Sequence, residues 1–180
     1  MSYLTDGCLR LRALEPQDLE IVYQIENDSD LWGCSNTNVP YSRYAIKRFI
    51  AEASNDIYSD RQVRLVAEQV SDGVPVGFAD LVDFSPRHMR AEVGIVVFPG
   101  FRGRGYGKAI LDMLEKYSRS SLLLHNIYAV VSVDNKAAVR LFNAAGFDFK
   151  AVLDGWLASA EGYGGAWICQ KILNDNNTRN

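Results

Sequence analysis

The chain has 180 residues, of which 48% are hydrophobic and 23% are charged, and its formal net charge is −3. This length and composition are typical of one globular domain that buries a core. The charge provides no basic surface for nucleic acid, and no run approaches the roughly 20 apolar residues of a membrane-spanning helix, so we expect neither nucleic acid nor membrane as a partner.

The number and spacing of the cysteines and histidines indicate the cellular compartment and whether a metal site is expected. Cys8, Cys34 and Cys169 are odd in number and scattered, which favours a reducing compartment over a disulfide framework. The first six residues show no basic segment followed by an apolar run, so we expect a cytoplasmic location. His88 and His125 are the only histidines and no metal-binding spacing is present, so we expect no metal requirement.

The first third of the chain predicts one strand and two helices. Leu9 and Leu11 alternate with arginines, which is typical of a strand with one solvated face. The sequence Glu-Pro-Gln-Asp at residues 15–18 predicts a helix start, and the polar residues 27–30 predict its end. We expect Ser42 to cap a second helix.

The remainder predicts an antiparallel meander followed by alternating helices and strands. The meander has predicted strands at residues 63–67, 74–84 and 91–98, with turns at 71–73 and 85–87. The periodicity then changes, and we predict helices at 105–117 and 136–145 and extended segments at 127–133, 147–157 and 166–173. No repeat or linker interrupts this pattern. We therefore predict a single domain over residues 1–173 and a polar tail at residues 174–180.

A glycine-rich segment follows the third meander strand and leads directly into a predicted helix. It reads Arg102-Gly103-Arg104-Gly105-Tyr106-Gly107. Glycines let the backbone approach a ligand closely, and a helix N-terminus presents unpaired N–H groups and a positive dipole end. Because Arg102, Arg104 and Lys108 add positive charge there, the segment predicts a pyrophosphate site.

Three kinds of phosphate loop can be compared with this segment. A dinucleotide fingerprint needs Gly-x-Gly-x-x-Gly in a parallel βαβ unit, whereas the strand here follows a hairpin meander. A Walker loop needs Gly-Lys-Ser/Thr, which is absent. The remaining match is Arg-x-x-Gly-x-Gly.

With this motif the chain resembles the GNAT superfamily, and within it the branch of bacterial spermidine acetyltransferases and ribosomal-protein alanine acetyltransferases. Residues 135–147, from Asn135 to the closing Gly-Phe, resemble the family's second motif, and residues 11–19 and 88–92 resemble segments of that branch. The resemblance implies an α/β (α+β) fold, with a mixed, mostly antiparallel sheet of about seven strands flanked by about four helices. It also implies acetyl-CoA as cosubstrate, a small amine or a protein N-terminus as acceptor, and a homo-oligomer as a candidate assembly.

The resemblance assigns the cofactor-binding residues as well. They are the backbone of the strand that precedes the glycine-rich segment, the segment itself, and two residues of the second motif: Ile95, Val96, Val97, Arg102, Gly103, Arg104, Gly105, Tyr106, Gly107, Lys108, Asn135 and Phe142. Asn135 is equally expected to act as a helix cap.

Acetyl transfer needs a base, because an alkyl amine with a pKa of about 10.4 arrives protonated. Glu92 is the candidate, since the thioester should lie along its strand; the alternative is a carboxylate that pairs with Arg90 or Arg64. Many relatives carry a tyrosine as the acid where this chain has Phe142, which cannot donate a proton. Candidate replacements are Tyr106, Tyr128, Tyr163 and Cys34.

The acceptor is less well defined by the sequence. Residues 34–38 are neutral where spermidine enzymes carry acidic clusters, while Asp80 and Asp83 could receive a cation or be solvated. Four aromatic residues are candidates to line an acceptor cleft: Tyr41, Trp156, Tyr163 and Trp167. Because the acid is missing, a non-catalytic acyl-CoA sensor is an alternative to an N-acetyltransferase.

Overall fold

The computed structural model describes residues 4–32, 39–54, 56–159 and 162–173. Cys34, the neutral segment 34–38 and the predicted tail at 174–180 lie outside this part of the chain. No helix within it is both long enough and apolar enough to cross a membrane.

Seven strands form one sheet in the order β1-β2-β3-β4-β5-β7-β6. All neighbours are antiparallel except β4 and β5, which confirms the predicted mixed, mostly antiparallel sheet. The strands are β1 (Leu9–Ala13), β2 (Val63–Gln69), β3 (Pro75–Ser85), β4 (Arg90–Val97), β5 (Asn126–Ser132), β6 (Asp148–Ser159) and β7 (Gly162–Ile172).

The described residues include four helices of eight residues or more, as expected, and two single-turn helices that the sequence pattern did not predict. The longer ones are α1 (Leu19–Glu26), α3 (Arg43–Glu52), α5 (Tyr106–Ser120) and α6 (Lys136–Ala144), and the single turns are α2 (Ser29–Trp32) and α4 (Ile57–Asp60). The pattern did not reveal α2 and α4 because one turn is too short to show a 3.6-residue apolar period.

Local side chains explain where the first helices begin. Glu15 and Asp18 form a capping box around a short 3-10 turn at Pro16–Asp18 that leads into α1. The Ser42 hydroxyl accepts a hydrogen bond from the Ala45 N–H at 3.1 Å, so the predicted cap is confirmed.

The two faces of the sheet have separate cores. Helix α5 lies on one face, where Ile110, Leu111 and Leu114 are fully buried. Helices α1 and α3 lie on the other face, where Val22 and Ile46 pack in one cluster with β2, β3 and the end of β4. A strand residue therefore belongs either to the α5 face or to the α1/α3 face, according to its parity.

Strands β4 and β5 pair over only three residues. The pairs are Arg90 with Asn126, Ala91 with Ile127, and Glu92 with Tyr128. Beyond Glu92, β4 continues beside β3 while β5 continues beside β7. The sheet therefore opens between β4 and β5 from Val93 onward, and we refer to this gap as the β4/β5 opening.

Candidate functional site

The glycine-rich segment, residues 102–107, follows the free end of β4. Gly103 and Gly105 have φ values of +74° and +83°, which L residues with side chains rarely adopt, and Gly105 is the N-cap of α5. Within the described part of the chain, the N–H groups of residues 103–107 have no acceptor. These donors and the N-terminal end of a fifteen-residue helix together favour an anion.

The cationic side chains of this segment and of the adjacent Lys108 make specific contacts with the protein. The Arg102 Nε–H donates to the Val97 carbonyl oxygen at 3.1 Å, so Arg102 holds the end of β4. The Arg104 guanidinium lies 5.5 Å from the centroid of the Phe101 ring. Lys108 Nζ lies 2.6 Å from the Asp112 carboxylate, which partly offsets its charge.

Tyr106 connects the start of α5 to the hairpin between β2 and β3. Its hydroxyl donates to Gln69 Oε1 at 2.8 Å. Sequence reasoning missed Gln69, because nothing in the spacing relates residue 69 to residue 106. The contact fixes the position of the first residue of α5.

The exposed backbone edge of β4 lines the β4/β5 opening. The Phe98 N–H donates to the Val76 carbonyl at 2.9 Å, which lies on the β3 side. Because backbone groups of a strand alternate between its two neighbours, Ile95 and Val97 direct theirs toward the opening and Val96 directs its own toward β3. Two of the three predicted backbone contacts are thus presented to the opening.

Gly77 on β3 is a residue of this site that the sequence reasoning missed. A Cβ atom there would lie 2.3 Å from the Val96 carbonyl oxygen. Position 77 therefore accepts only glycine while β3 and β4 keep this spacing. A glycine in a strand interior is a known sign of close backbone approach and could have identified it.

Glu92 occupies the last paired position before the opening, opposite Tyr128. Burial raises its pKa, and the charge of Asp83 adds to the shift, whereas the Val130 N–H and the Tyr128 side chain oppose it. The Tyr128 hydroxyl donates to Asp83 Oδ2 at 2.6 Å. Burial, followed by this hydrogen bond, raises the pKa of Tyr128 as well.

A cavity of about 310 Å³ lies on the α1/α3 face. Its lining comes from α1, α3, β2, β3 and neighbouring residues: Val22, Glu26, Tyr41, Ala45, Ile46, Phe49, Gln62, Val63, Arg64, Asp80 and Val82. Directly paired residues share a face of a sheet, and Val82 is paired with Glu92. Glu92 therefore faces the same side of the sheet as this cavity, which we call the α1/α3 cavity.

Arg64 binds two acids of the cavity, and neither is Glu92. Its Nε and Nη2 donate to the Asp80 carboxylate at 2.9 and 2.8 Å, and its Nη1 donates to Glu26. The alternative in which Arg64 neutralises Glu92 is wrong, because the guanidinium is engaged by Glu26 and Asp80. Asp80 is likewise an ion-paired, mostly buried group and not a solvated strand carboxylate.

Comparison with known proteins identifies the family. A model described as an acetyltransferase (GNAT) domain matches residues 9–148. The chain belongs to the GNAT acetyltransferase family. The predicted enzyme class, an N-acetyltransferase, is thereby confirmed.

Relatives and solved structures agree with this assignment. The spermidine N(1)-acetyltransferase of Vibrio cholerae serotype O1 is 29% identical over 140 residues, covering 77% of this chain and 78% of that protein. A crystal structure of V. cholerae spermidine N-acetyltransferase with CoA and spermine covers 93% of this chain and 97% of its own, at TM-score 0.81 and 24% identity. A dodecameric structure of the V. cholerae enzyme covers 97% and 100%, at TM-score 0.78 and 24% identity. At this identity the structures show the shared GNAT fold.

The segment that resembles the second GNAT motif, residues 135–147, comprises α6, the residue before it and the three residues after it. The Asn135 side chain caps this helix by accepting from the Ala138 N–H at 3.0 Å. Phe142 is only 5% exposed and packs edge-on against Phe147, with ring centroids 4.9 Å apart. Its ring therefore lies within the core.

The tyrosines that could replace the missing acid lie in different environments. The hydroxyls of Tyr106 and Tyr128 donate to Gln69 and Asp83, whereas Tyr163 on β7 is 80% exposed. Of the aromatic residues predicted to line an acceptor cleft, Tyr41 lines the α1/α3 cavity. Trp167 packs against Phe149, and Trp156 is largely exposed.

Proposed function

We propose that the protein transfers the acetyl group of acetyl-CoA to a primary amine by direct attack in a ternary complex. The observation that carries this proposal is the β4/β5 opening, with Glu92 at one end and the unpaired N–H groups of residues 103–107 at the other. Between them, residues 93–97 of β4 span about 17 Å at ~3.3 Å per residue. A cosubstrate must therefore have a linear arm between its pyrophosphate and its reacting atom.

Coenzyme A has this shape. Its pyrophosphate binds the N–H groups of residues 103–107, assisted by the charge of Arg104. Its pantetheine amides pair with the Val97 N–H and the Ile95 carbonyl, so that the arm takes the place of a strand beside β4. This arrangement brings the thioester toward Glu92, and the Ile95 N–H, which is nearer to Glu92 along the strand than that of Val97, is the candidate donor to the thioester oxygen.

The chemistry then requires one proton acceptor. Glu92 takes one proton from the ammonium group, directly or through water. The neutral amine then attacks the thioester carbonyl carbon, so that a C–N bond forms and the C–S bond breaks, and water carries the second amine proton to the departing thiolate. A raised carboxylate pKa makes Glu92 a stronger base than an ordinary glutamate. The same burial that raises this pKa keeps bulk water from competing for the carboxylate.

The core position of Phe142 does not by itself favour a non-catalytic sensor. Thiols have a pKa of about 8.5, so coenzyme A can leave as a thiolate and be protonated by water. A missing general acid typically lowers a rate by roughly 10²–10⁴, which still leaves measurable turnover.

A small amine fits the site better than a protein N-terminus. The α1/α3 cavity, at about 310 Å³, is at the lower end of the ~300–1,000 Å³ range of small-molecule sites and is bounded by helices α1 and α3. The relative from V. cholerae is named for a small amine, spermidine, and forms a dodecamer. By analogy we assign this chain a small amine acceptor and a homo-oligomeric state, which light scattering would measure.

Thiol release tests the reaction. With acetyl-CoA and a panel of amines, amino acids and N-terminal peptides, we expect free thiol to appear only when an accepted amine is present. Coenzyme A should also raise the melting temperature, because a ligand that binds only the native state stabilises it. Equal stabilisation by NAD or ATP would contradict the cosubstrate assignment.

A further inference from the structure

One positively charged side chain, that of Arg64, lines the α1/α3 cavity. The Arg64 guanidinium is held by the carboxylates of Glu26 and Asp80 and lies over the Phe78 ring, 5.3 Å from its centroid. The side chain of Arg64 is 23% exposed, and those of its two partners are 18% and 13% exposed. The three groups therefore form one largely desolvated cluster on the cavity side of the sheet.

Both acidic residues that line the cavity are already paired with Arg64. The charged residues among those that line the cavity are Glu26, Arg64 and Asp80, so two negative charges and one positive charge leave a formal charge of −1. The rest of the lining is aliphatic or aromatic, apart from the neutral Gln62. In the sequence, residues 33–38 between α2 and α3 also carry no charge.

A polyamine would meet an unfavourable environment here. Each further ammonium group that enters must either displace Arg64 from its carboxylates or be buried close to a like charge. A compact amine with an apolar body has no such group. Its body would contact Val22, Ile46 and Phe49, and its reacting nitrogen would lie near Val82, which lines the cavity and is paired with Glu92.

We propose that Arg64 is a specificity-determining residue, which occupies the two carboxylates that a second substrate ammonium would need. The acceptor is therefore a primary monoamine on a compact aliphatic or aromatic body and not a polyamine. This inference rests on the proposed function. It restricts the acceptor to monoamines, whereas the relatives described above are named for a polyamine, spermidine.

A matched pair of acceptors tests the wild-type enzyme. Hexylamine and hexane-1,6-diamine share one six-carbon chain and differ by a second amine, and spermidine extends the series. At saturating acetyl-CoA we expect kcat/KM for hexylamine to exceed that for the diamine and for spermidine by about tenfold or more. A preference for the diamine or spermidine overturns the inference and leaves the proposed function standing.

Substitution of Arg64 tests the cause. In Arg64→Leu the carboxylates of Glu26 and Asp80 lose the guanidinium, so the hexylamine-to-diamine ratio of kcat/KM should fall by about tenfold or more. The control is Arg43→Leu, which removes the same charge from the exposed Arg43–Glu20 pair and should leave the ratio unchanged. A folded Arg64→Leu enzyme with the wild-type ratio contradicts the inference.

A binding measurement covers the case in which Arg64→Leu folds poorly. Hexane-1,6-diamine should raise the melting temperature of this variant more than hexylamine does, because its second ammonium replaces the positive charge of Arg64 beside Glu26 and Asp80. Equal shifts with both amines contradict the inference. A wild-type protein that neither binds coenzyme A nor releases thiol instead contradicts the proposed function, and this inference with it.

Discussion

The proposed cofactor side and the proposed acceptor side of this molecule are built in different ways. The proposed cofactor side comes mainly from one stretch, residues 92–108, and presents mainly backbone groups. The α1/α3 cavity comes from α1, α3, β2 and β3, which are far apart in the sequence, and presents side chains. A backbone site leaves a local trace of glycines and helix signals, whereas a side-chain site depends on contacts that no single segment records.

Glu92 lies where these two regions meet, and its substitution should have the largest effect. Glu92→Gln removes the base, so we expect kcat to fall by roughly 10²–10⁴ while the affinity for coenzyme A is kept. In wild type, kcat should fall with decreasing pH through an apparent pKa above the ordinary ~4.3 of glutamate, because the ionised form is the base.

The stability of the same variant provides its control. Because the folded-state pKa of Glu92 is raised, the native protein binds more protons than the unfolded chain between the two pKa values, and stability declines as pH rises through that interval. Glu92→Gln lacks this loss and should melt no lower than wild type at neutral pH. Unchanged kcat in a folded variant would place the base elsewhere.

Substitution within the glycine-rich segment should affect only the cofactor side. Gly105→Val places a β-branched residue at φ +83°, where its Cβ meets no protein atom within 4 Å, and the side chain would then block the proposed pyrophosphate site. We expect coenzyme A affinity to fall by about 100-fold, or roughly 2.7 kcal/mol.

Gly100→Val is the matched control for this variant. A Cβ atom on Gly100 would also meet no protein atom within 4 Å, and the φ of Gly100 lies outside the positive range. Calorimetric titration with coenzyme A should therefore give near-wild-type affinity for Gly100→Val. Equal losses in both variants would place the pyrophosphate outside residues 103–107.

Phe142→Tyr tests whether the core position of this ring has any room for a catalytic hydroxyl. The ring is buried beside Phe147, so the added hydroxyl should lower the free energy of unfolding by about 1–3 kcal/mol without increasing the rate. Denaturant unfolding and thiol release measure the two quantities. A faster variant would show that the ring can reach the thioester sulfur.

The smallest expected effect is a difference in kcat/KM between alanine variants of Arg102 and Arg104. S-acetylpantetheine lacks the pyrophosphate, so a residue that only binds phosphate has no influence on its turnover. Because Arg102 holds the Val97 carbonyl, Arg102→Ala should lower kcat/KM by about tenfold with both acetyl-CoA and S-acetylpantetheine. Arg104→Ala should lower it with acetyl-CoA alone.

The difference between features encoded by one segment and features that need distant partners also explains what the sequence could predict. The seven strands, the four longer helices and the Ser42 cap follow from periodicity and local chemistry, and the structure confirms them. The course of β7 was predicted less well: it begins at Gly162 and not at Ala166, because ladder pairing with β6 needs backbone groups and not apolar side chains. Prediction therefore succeeded for elements whose structure depends on residues close in the sequence.

Residues that act through distant partners were not predictable from their own segments. Gln69 is defined by Tyr106, Gly77 by the Val96 carbonyl, and Arg64 by Glu26 and Asp80. Each relation joins residues at least nineteen positions apart except the Arg64–Asp80 pair, which spans sixteen. Such pairs are recognisable only once strand register places them together.

The β4/β5 opening also has a consequence for folding. Strands β1–β4 form one group and strands β5–β7 another, and only three residue pairs in the described sheet join the two groups. The β2–β3, β3–β4 and β6–β7 hairpins form with a small loop-closure penalty, so these parts of the two groups can organise before the parallel junction closes across α5. A cosubstrate lying in the opening would tie the two groups into one cooperative unit, and amide hydrogens on both β4 and β5 would then exchange more slowly.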